Sequence, residues 1–260
     1  MGKVYIVGAG PGAPDLLTLR AARLLEAADV VLHDALVHPD TLALARRARL
    51  VDVGKRYGKV STEQRFINRA LVEAARTHAV VVRLKGGDPM LFARAQEELN
   101  ALAAAGIECE VVPGVTAALA AAASVQVSLT RRGVARTVAF LTPRVGRDEA
   151  ASAWLPAALG TDTVVLYMAA GASQSIAAQL IGAGKPAATP AVLVESATLA
   201  GERRLFTTLA DLAAEPLPRA EGPVVMAVGE VFSNRDTASQ HEHLRQVHHR
   251  EDHRRSSVDR

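Results

Sequence analysis

Short runs of β-branched residues alternate along the chain with longer stretches that are rich in Ala and Leu. The short runs predict ten strands, at Val4–Val7, Val30–His33, Val51–Val53, Val80–Leu84, Glu110–Val112, Thr137–Leu141, Thr163–Tyr167, Ala191–Val194, Arg204–Thr207 and Val224–Val228. The intervening stretches predict helices, among them Asp15–Glu26, Thr62–Thr77, Leu91–Ala105 and Ser173–Ala183. Strands that alternate with helices favour parallel sheets, and nearly continuous apolar runs are typical of strands buried on both faces.

The strands fall into two groups of five, which predicts two α/β domains. The first domain is expected at 1–123 and the second at 136–236, with a linker at 124–135 where polar and basic residues interrupt the apolar pattern. Two late segments, Glu202–Leu205 and Val224–Val228, are expected to be antiparallel neighbours. The apolar pattern stops after Ser233, so residues 237–260 are expected to form a disordered tail.

Composition excludes several classes of protein. The 260 residues are 49% hydrophobic, and Cys109 is the only cysteine, which excludes an intramolecular disulfide and a CxxC zinc site. A net charge of +3 and only 3% aromatic residues argue against nucleic-acid binding. No apolar run is long enough for a membrane span, and the first strand follows Met1 too closely for a signal peptide. We therefore expect a cytoplasmic protein that binds neither metal nor membrane.

The first glycine-rich turn, GAGPGAPD at 8–15, follows the first predicted strand and fits the dinucleotide-binding pattern G-x-G-x-x-[GA]. Pro11 and Pro14 argue against a nicotinamide site, because proline lacks the N–H that would bind a pyrophosphate. The pattern then indicates either another ligand close to the backbone or merely a tight turn between strand and helix.

Two further turns follow predicted strands, KGGDPM at 85–90 and VPGVTAA at 112–118. Ligands of open α/β sheets bind at the carboxyl ends of strands, and the small residues leave room for one against the backbone. The alternative for the first of these turns is an ordinary connection in which Asp88 caps a helix.

Seven motifs in order resemble the tetrapyrrole methylase family over residues 3–232. They are VGAGPGAPDLLTLRA, HDALV, VGKRYGK with the following Gln64, Ile67 and Asn68, VRLKGGDP, VVPGVTAA, LTRRG and VLYM. The resemblance implies two α/β domains with S-adenosylmethionine in the cleft between them, S-adenosylhomocysteine as a product, and a homodimer. No domain for tetrapyrrole oxidation or metal insertion is expected in a chain of this length.

Within the family, the VGKR segment with Gln64 and Asn68 favours the member that methylates uroporphyrinogen III at C2 and C7, giving precorrin-2 by way of precorrin-1. Such a member serves the biosynthesis of siroheme or cobalamin. The alternatives are a precorrin-4-type methylase, a diphthine synthase, or a non-catalytic adenosylmethionine sensor. The sensor stays an alternative because alanines replace glycines that are usual in the family, at Ala93, Ala95 and Ala197.

The resemblance also assigns site residues. The expected cofactor contacts are Pro11, Gly86, Gly87, Asp88, Leu91, Thr116, Ala117, Met168 and Ala197. The expected catalytic residues are Asp34 as proton acceptor, Lys55 as proton donor, and Arg94; Arg94, Glu97 and Arg132 are expected to line the tetrapyrrole pocket. From the residues alone, Asp34 has the alternative role of a turn or cap residue, and Arg94 can form an intrahelical pair with Glu98.

Overall fold

The computed structural model describes residues 1–54, 64–144, 152–215 and 219–233. Two compact units divide the chain between Ala120 and Ala121. The strands are β1 (Lys3–Gly8), β2 (Val30–His33), β3 (Arg49–Asp52), β4 (Val80–Lys85), β5 (Cys109–Val112), β6 (Val138–Leu141), β7 (Thr163–Leu166), β8 (Pro190–Glu195), β9 (Arg203–Thr208) and β10 (Val224–Val228). The helices are α1 (Leu19–Ala27), α2 (Pro39–Leu42), α3 (Gln64–Thr77), α4 (Ala95–Ala104), α5 (Ala117–Ser124), α6 (Trp154–Leu159), α7 (Ser173–Gly182) and α8 (Leu209–Ala214).

Each of the ten predicted strands is confirmed to within two residues at either end. The two α/β units of the predicted fold class are confirmed as well. The linker predicted at 124–135 and the domain bounds built on it stay predictions.

The N-terminal unit contains a wholly parallel sheet in the order β3-β2-β4-β1-β5. Side chains alternate between its two faces, as the period of a strand requires. Val81 belongs to the core cluster that includes residues of α3 and α4, whereas Val82 and Leu84 belong to the cluster that includes residues of α1. The sheet is therefore buried on both faces, as the continuous apolar runs predict.

The C-terminal unit contains a mixed sheet in the order β6-β7-β10-β8-β9. Only the β6–β7 pair is parallel; β10 runs antiparallel to β7 and β8, and β8 runs antiparallel to β9. The expectation of a parallel sheet is wrong here, because residues 196–202 between β8 and β9 are too few for a parallel crossover. The expected pairing of Glu202–Leu205 with Val224–Val228 is also wrong, since β8 lies between β9 and β10.

Two predicted helices begin later than expected. In place of a helix from Asp15, a 3₁₀ turn at Pro14–Leu16 precedes α1, whose N-cap Thr18 accepts a hydrogen bond from the N–H of Ala21. The helix expected from Leu91 begins only at Ala95, because Arg94 adopts a left-handed conformation with φ of 56°. Arg94 therefore precedes the helix and does not lie on its first turns.

Candidate functional site

The three small-residue turns of the N-terminal unit touch one another at the carboxyl ends of β4, β1 and β5. Gly10 and Gly87 exchange two backbone hydrogen bonds, of 2.7 and 3.2 Å. Asp88 Oδ2 accepts a hydrogen bond of 2.9 Å from the N–H of Gly114. A Cβ on Gly114 would lie 2.4 Å from the carbonyl oxygen of Gly87, so the close approach of these two turns requires glycine at position 114.

Gly87 has a different environment, which leaves room for an added Cβ. Its φ is 68°, and an added Cβ would meet only Ala117 N and Thr116 Cα, both at 4.0 Å. The main chain of Gly87 and of Thr116–Ala117 therefore borders a space that a side chain at 87 would enter. The other cofactor candidates of this unit, Pro11, Gly86, Asp88 and Leu91, are partly buried and lie in the same turns or directly after them.

Asp34 follows β2 and does not cap a helix with its side chain. Its Oδ1 accepts a hydrogen bond from Nη2 of Arg83, and its side chain remains 29% exposed. Among the described residues, Oδ2 of Asp34 has no hydrogen-bond donor. One carboxylate oxygen is therefore fixed by an arginine while the other remains available.

Arg83 extends from Asp34 into a buried network of charges. Its Nε donates to Oε1 of Glu98 at 3.0 Å, and the same oxygen accepts from Lys85 Nζ at 2.9 Å and from Gln64 Nε2 at 3.2 Å. Arg83, Lys85 and Glu98 are 2%, 2% and 0% exposed. Glu98 Oε2 is buried and has no partner within the described residues. The buried carboxylate of Glu98 and the partly exposed carboxylate of Asp34 thus balance the charges of two buried cations.

Burial dominates the electrostatics of Lys85. Desolvation, and then the charge of Arg83, lower the pKa of the Lys85 ammonium, while Glu98 and Asp34 act in the opposite direction. The sequence contained a signal for this network, because Arg83 and Lys85 lie two residues apart and share a face of β4. Sequence reasoning missed both, since it interpreted Val80–Leu84 as an apolar core strand.

Arg94 forms a bidentate ion pair with Glu97, its Nε and Nη2 lying 2.6 and 2.8 Å from the two carboxylate oxygens. Both side chains are about half exposed. The alternative pair of Arg94 with Glu98 is wrong, because the Glu98 carboxylate pairs with the buried Arg83 and Lys85. The structure thus brings two of the substrate candidates together; the third, Arg132, is exposed in the C-terminal unit.

In the C-terminal unit, Met168 lies two residues after the end of β7 and is 43% exposed. Ala197 lies in the turn between β8 and β9 and is buried. Lys55 and the segment that contains it lie outside the described residues, as does the tail from 237.

Among the described residues, no helix is long and apolar enough to cross a membrane, and no three His, Cys, Asp or Glu side chains are grouped to hold a metal.

Left-handed backbone is concentrated at the candidate positions. The described non-glycine residues with positive φ are Phe92, Arg94, Gln126, Met168, Ser196 and Thr198. All but Gln126 either are candidates themselves or adjoin one, since Phe92 follows Leu91 and Ser196 and Thr198 flank Ala197. Such conformations are costly for residues with a Cβ and cluster at ligand-binding sites. This observation supports the candidate residues independently of the motifs.

Comparison with known proteins gives a consistent picture. The family model for tetrapyrrole (corrin/porphyrin) methylases matches residues 3–213. A uroporphyrinogen-III C-methyltransferase of Pseudomonas aeruginosa is 44% identical over 92% of this chain and 97% of its own length. Siroheme synthase 2 of Aeromonas hydrophila is 45% identical over 91% of this chain, which spans 50% of that longer protein.

Among solved structures, the chain is similar to the uroporphyrin-III C-methyltransferase of Thermus thermophilus in complex with S-adenyl homocysteine. The TM-score is 0.77 and the identity 41%, over 89% of this chain and 99% of the other.

Proposed function

The chain belongs to the tetrapyrrole methylase family, and on that basis we propose that it is an S-adenosylmethionine-dependent methyltransferase that converts uroporphyrinogen III to precorrin-2. The methyl groups are added at C2 and C7 of the tetrapyrrole, with precorrin-1 as the intermediate. The product is a precursor of siroheme, in keeping with the siroheme synthases among the relatives. Because the chain spans about half the length of those siroheme synthases, their later steps are not ascribed to it.

The residues of the N-terminal unit fit the cofactor. The space bordered by Gly87, Thr116 and Ala117 is lined by main chain, because the nearest atoms to a Cβ on Gly87 are Ala117 N and Thr116 Cα and no side chain lies within 4 Å. Asp88 holds this arrangement by accepting from Met90 N at 2.8 Å and from Gly114 N at 2.9 Å. When bound, S-adenosylmethionine supplies a methyl group on a positively charged sulfur. We propose that Pro11, Gly86, Leu91, Met168 and Ala197 complete its contacts.

The mechanism that we propose places proton removal at Asp34. Methyl transfer to a pyrrole carbon leaves the ring system with a positive charge. The ring system must then lose a proton, and a carboxylate within reach accelerates that loss. Oδ2 of Asp34 is the acceptor, because Oδ1 is held by Arg83. The guanidinium of Arg83 also donates to the carbonyl oxygens of Leu32 and Leu84, at 3.4 and 3.1 Å, so that it cannot rotate away. Asp34 is thereby fixed in one orientation toward the substrate.

Uroporphyrinogen III carries eight carboxylates, and arginine binds such groups bidentately. We propose that Arg94 and Arg132 bind substrate carboxylates and that Glu97 holds Arg94 in place before the substrate arrives. Nε and Nη2 of Arg94 each donate to one carboxylate oxygen of Glu97, which is the geometry in which arginine binds a carboxylate bidentately. Lys55 remains a proposed proton donor on the resemblance alone.

One observation carries this proposal. In a chain of this family, the Gly87 turn and the Arg83–Asp34 pair lie at the carboxyl ends of two adjacent parallel strands, β4 and β2. The test is incubation of the purified protein with methyl-labelled S-adenosylmethionine and uroporphyrinogen III. Label in the tetrapyrrole supports the proposal. Absence of that label, with labelling of precorrin-4 or of a protein acceptor when either replaces uroporphyrinogen III, would favour the alternatives.

We further propose that the protein is a homodimer in the cytoplasm, as the family resemblance implies. Light scattering at micromolar concentration tests the dimer, and a monomer there would contradict it.

A further inference from the structure

The turn between β8 and β9, residues 196–202, is held in an unfavourable backbone conformation on both sides of Ala197. Ser196 has a φ of 51° and Thr198 a φ of 72°. A β-branched residue such as threonine is a true outlier at positive φ, because its Cβ crowds the backbone. A conformation of this kind persists only when surrounding interactions impose it.

Glu202 supplies one of those interactions. Its Oε2 accepts a hydrogen bond of 2.7 Å from the N–H of Thr198, and its Oε1 accepts one of 2.7 Å from Ser124 Oγ and another from Arg204 Nε. The Glu202 side chain is only 11% exposed. Burial raises the pKa of its carboxyl, but the donors from Thr198, Ser124 and Arg204 outweigh burial and keep the pKa below its ordinary value. Glu202 is therefore an ionised acceptor at neutral pH.

The other end of the turn is fixed by Glu195 and the segment before β10. Glu195 Oε1 accepts from the N–H groups of Glu221 and Gly222 at 2.7 and 2.8 Å, and the N–H of Ser196 donates to Pro223 O at 2.9 Å. A Cβ on Gly222 would lie 2.1 Å from Ser196 Oγ, which shows how closely this segment covers the turn. Two carboxylates at the two ends thus determine the path of the chain through Ala197.

We infer that Glu202 is a positioning residue for the cofactor: it holds Thr198 in the left-handed conformation and so sets the main chain at Ala197 for S-adenosylmethionine. The inference rests on the proposed function, because Ala197 is a proposed cofactor contact. It adds a residue that neither the motifs nor the expected contacts include, and one that acts through Thr198 without touching the cofactor.

The test compares S-adenosylhomocysteine binding to the full chain by calorimetry in four proteins: wild type, Glu202→Ala, Thr198→Gly and the double variant. Loss of the carboxylate releases Thr198 from a costly conformation, so Glu202→Ala should weaken binding by about tenfold. Glycine adopts a φ of +72° without a Cβ penalty, so Thr198→Gly alone should bind within about threefold of wild type. For the same reason the double variant should recover most of the affinity that Glu202→Ala loses.

If Glu202 only stabilised the fold, Thr198→Gly would not restore cofactor binding to Glu202→Ala, because glycine at 198 replaces none of the hydrogen bonds that Glu202 accepts. The KM for uroporphyrinogen III should change by less than about twofold in Glu202→Ala, while the KM for S-adenosylmethionine rises. Glu215→Ala is the matched control, since Glu215 is an exposed glutamate of the same unit.

Unchanged affinity in Glu202→Ala, or a loss that Thr198→Gly fails to restore, would overturn the inference alone. Wild-type protein that binds no S-adenosylhomocysteine would contradict the proposed function and this inference with it. If Glu202→Ala does not fold, the double variant decides: recovery of both folding and binding supports the positioning role, and a folded double variant without binding overturns it.

Discussion

The guanidinium of Arg83 donates from Nη2 to Oδ1 of Asp34, so a fully buried cation holds one oxygen of a carboxylate whose other oxygen remains accessible. A side chain that served only as a turn residue would have no need of such a partner. The pair gives the proposed base a fixed orientation, and it connects the accessible surface at the end of β2 with the buried charges on β4 and α4.

Asp34→Asn tests the role of this carboxylate as a base. The amide keeps the shape and an oxygen for Arg83 but cannot accept the proton, so kcat should fall by about a hundredfold or more. S-adenosylhomocysteine affinity, measured by calorimetry, should stay near that of wild type. The control is Asp40→Asn, because Asp40 is an exposed carboxylate in the short helix after β2. A kcat within about threefold of wild type would contradict the role of Asp34.

Glu98→Leu tests the buried network. Removing one partner leaves Arg83 and Lys85 as buried cations with a single carboxylate, and loss of a buried partner typically costs about 3–5 kcal/mol in the free energy of unfolding. Glu97→Leu, one position earlier on the same helix, removes only an exposed ion pair and should cost about 0.2–1 kcal/mol. Urea denaturation measures both, and equal losses would show that the network does not stabilise the fold.

Gly87→Leu tests the cofactor space. The new side chain would enter the space bordered by Thr116 and Ala117, and leucine is disfavoured at a φ of 68°. Calorimetry should show no S-adenosylhomocysteine binding by a protein that is still folded by circular dichroism. Gly182→Ala in α7 is the control, because nothing lies within 4 Å of its added Cβ. Unchanged affinity in Gly87→Leu would place the cofactor elsewhere.

Arg94→Ala distinguishes a substrate contact from a surface ion pair. A charge-assisted bond to a substrate carboxylate contributes about 1.5–3 kcal/mol, so kcat/KM should fall by about tenfold or more while cofactor affinity is unchanged. If Arg94 only pairs with Glu97, activity should remain within about twofold of wild type. Arg20→Ala removes a comparably exposed arginine that pairs with Glu110, and it should leave kcat/KM unchanged.

The sequence was sufficient to predict the elements but not all of their pairings. The strand positions follow from apolar runs, which are local, whereas the antiparallel course of β8 and β9 depends on the short connection at 196–202. The late start of α4 depends on the left-handed Arg94, a conformation that no pattern of apolar residues reveals.

The same distinction holds for the site. Asp34 and Gly87 lie in recognisable turns, and the structure places both at the carboxyl ends of strands, where they were expected. Arg83, Lys85 and Glu98 come together from a strand and a helix, so their mutual neutralisation is visible only in three dimensions. Glu202 was missed for the same reason, because its partners Ser124 and Thr198 are set by tertiary contacts.

Whether this chain methylates uroporphyrinogen III is decided by the number of methyl groups transferred to each tetrapyrrole. Mass spectrometry of the product formed from uroporphyrinogen III and excess S-adenosylmethionine should show a dimethylated tetrapyrrole, with the monomethylated species appearing first and then declining. An S-adenosylhomocysteine-binding protein that leaves uroporphyrinogen III unmethylated would overturn the proposed function and would favour the sensor or a methylase with another substrate.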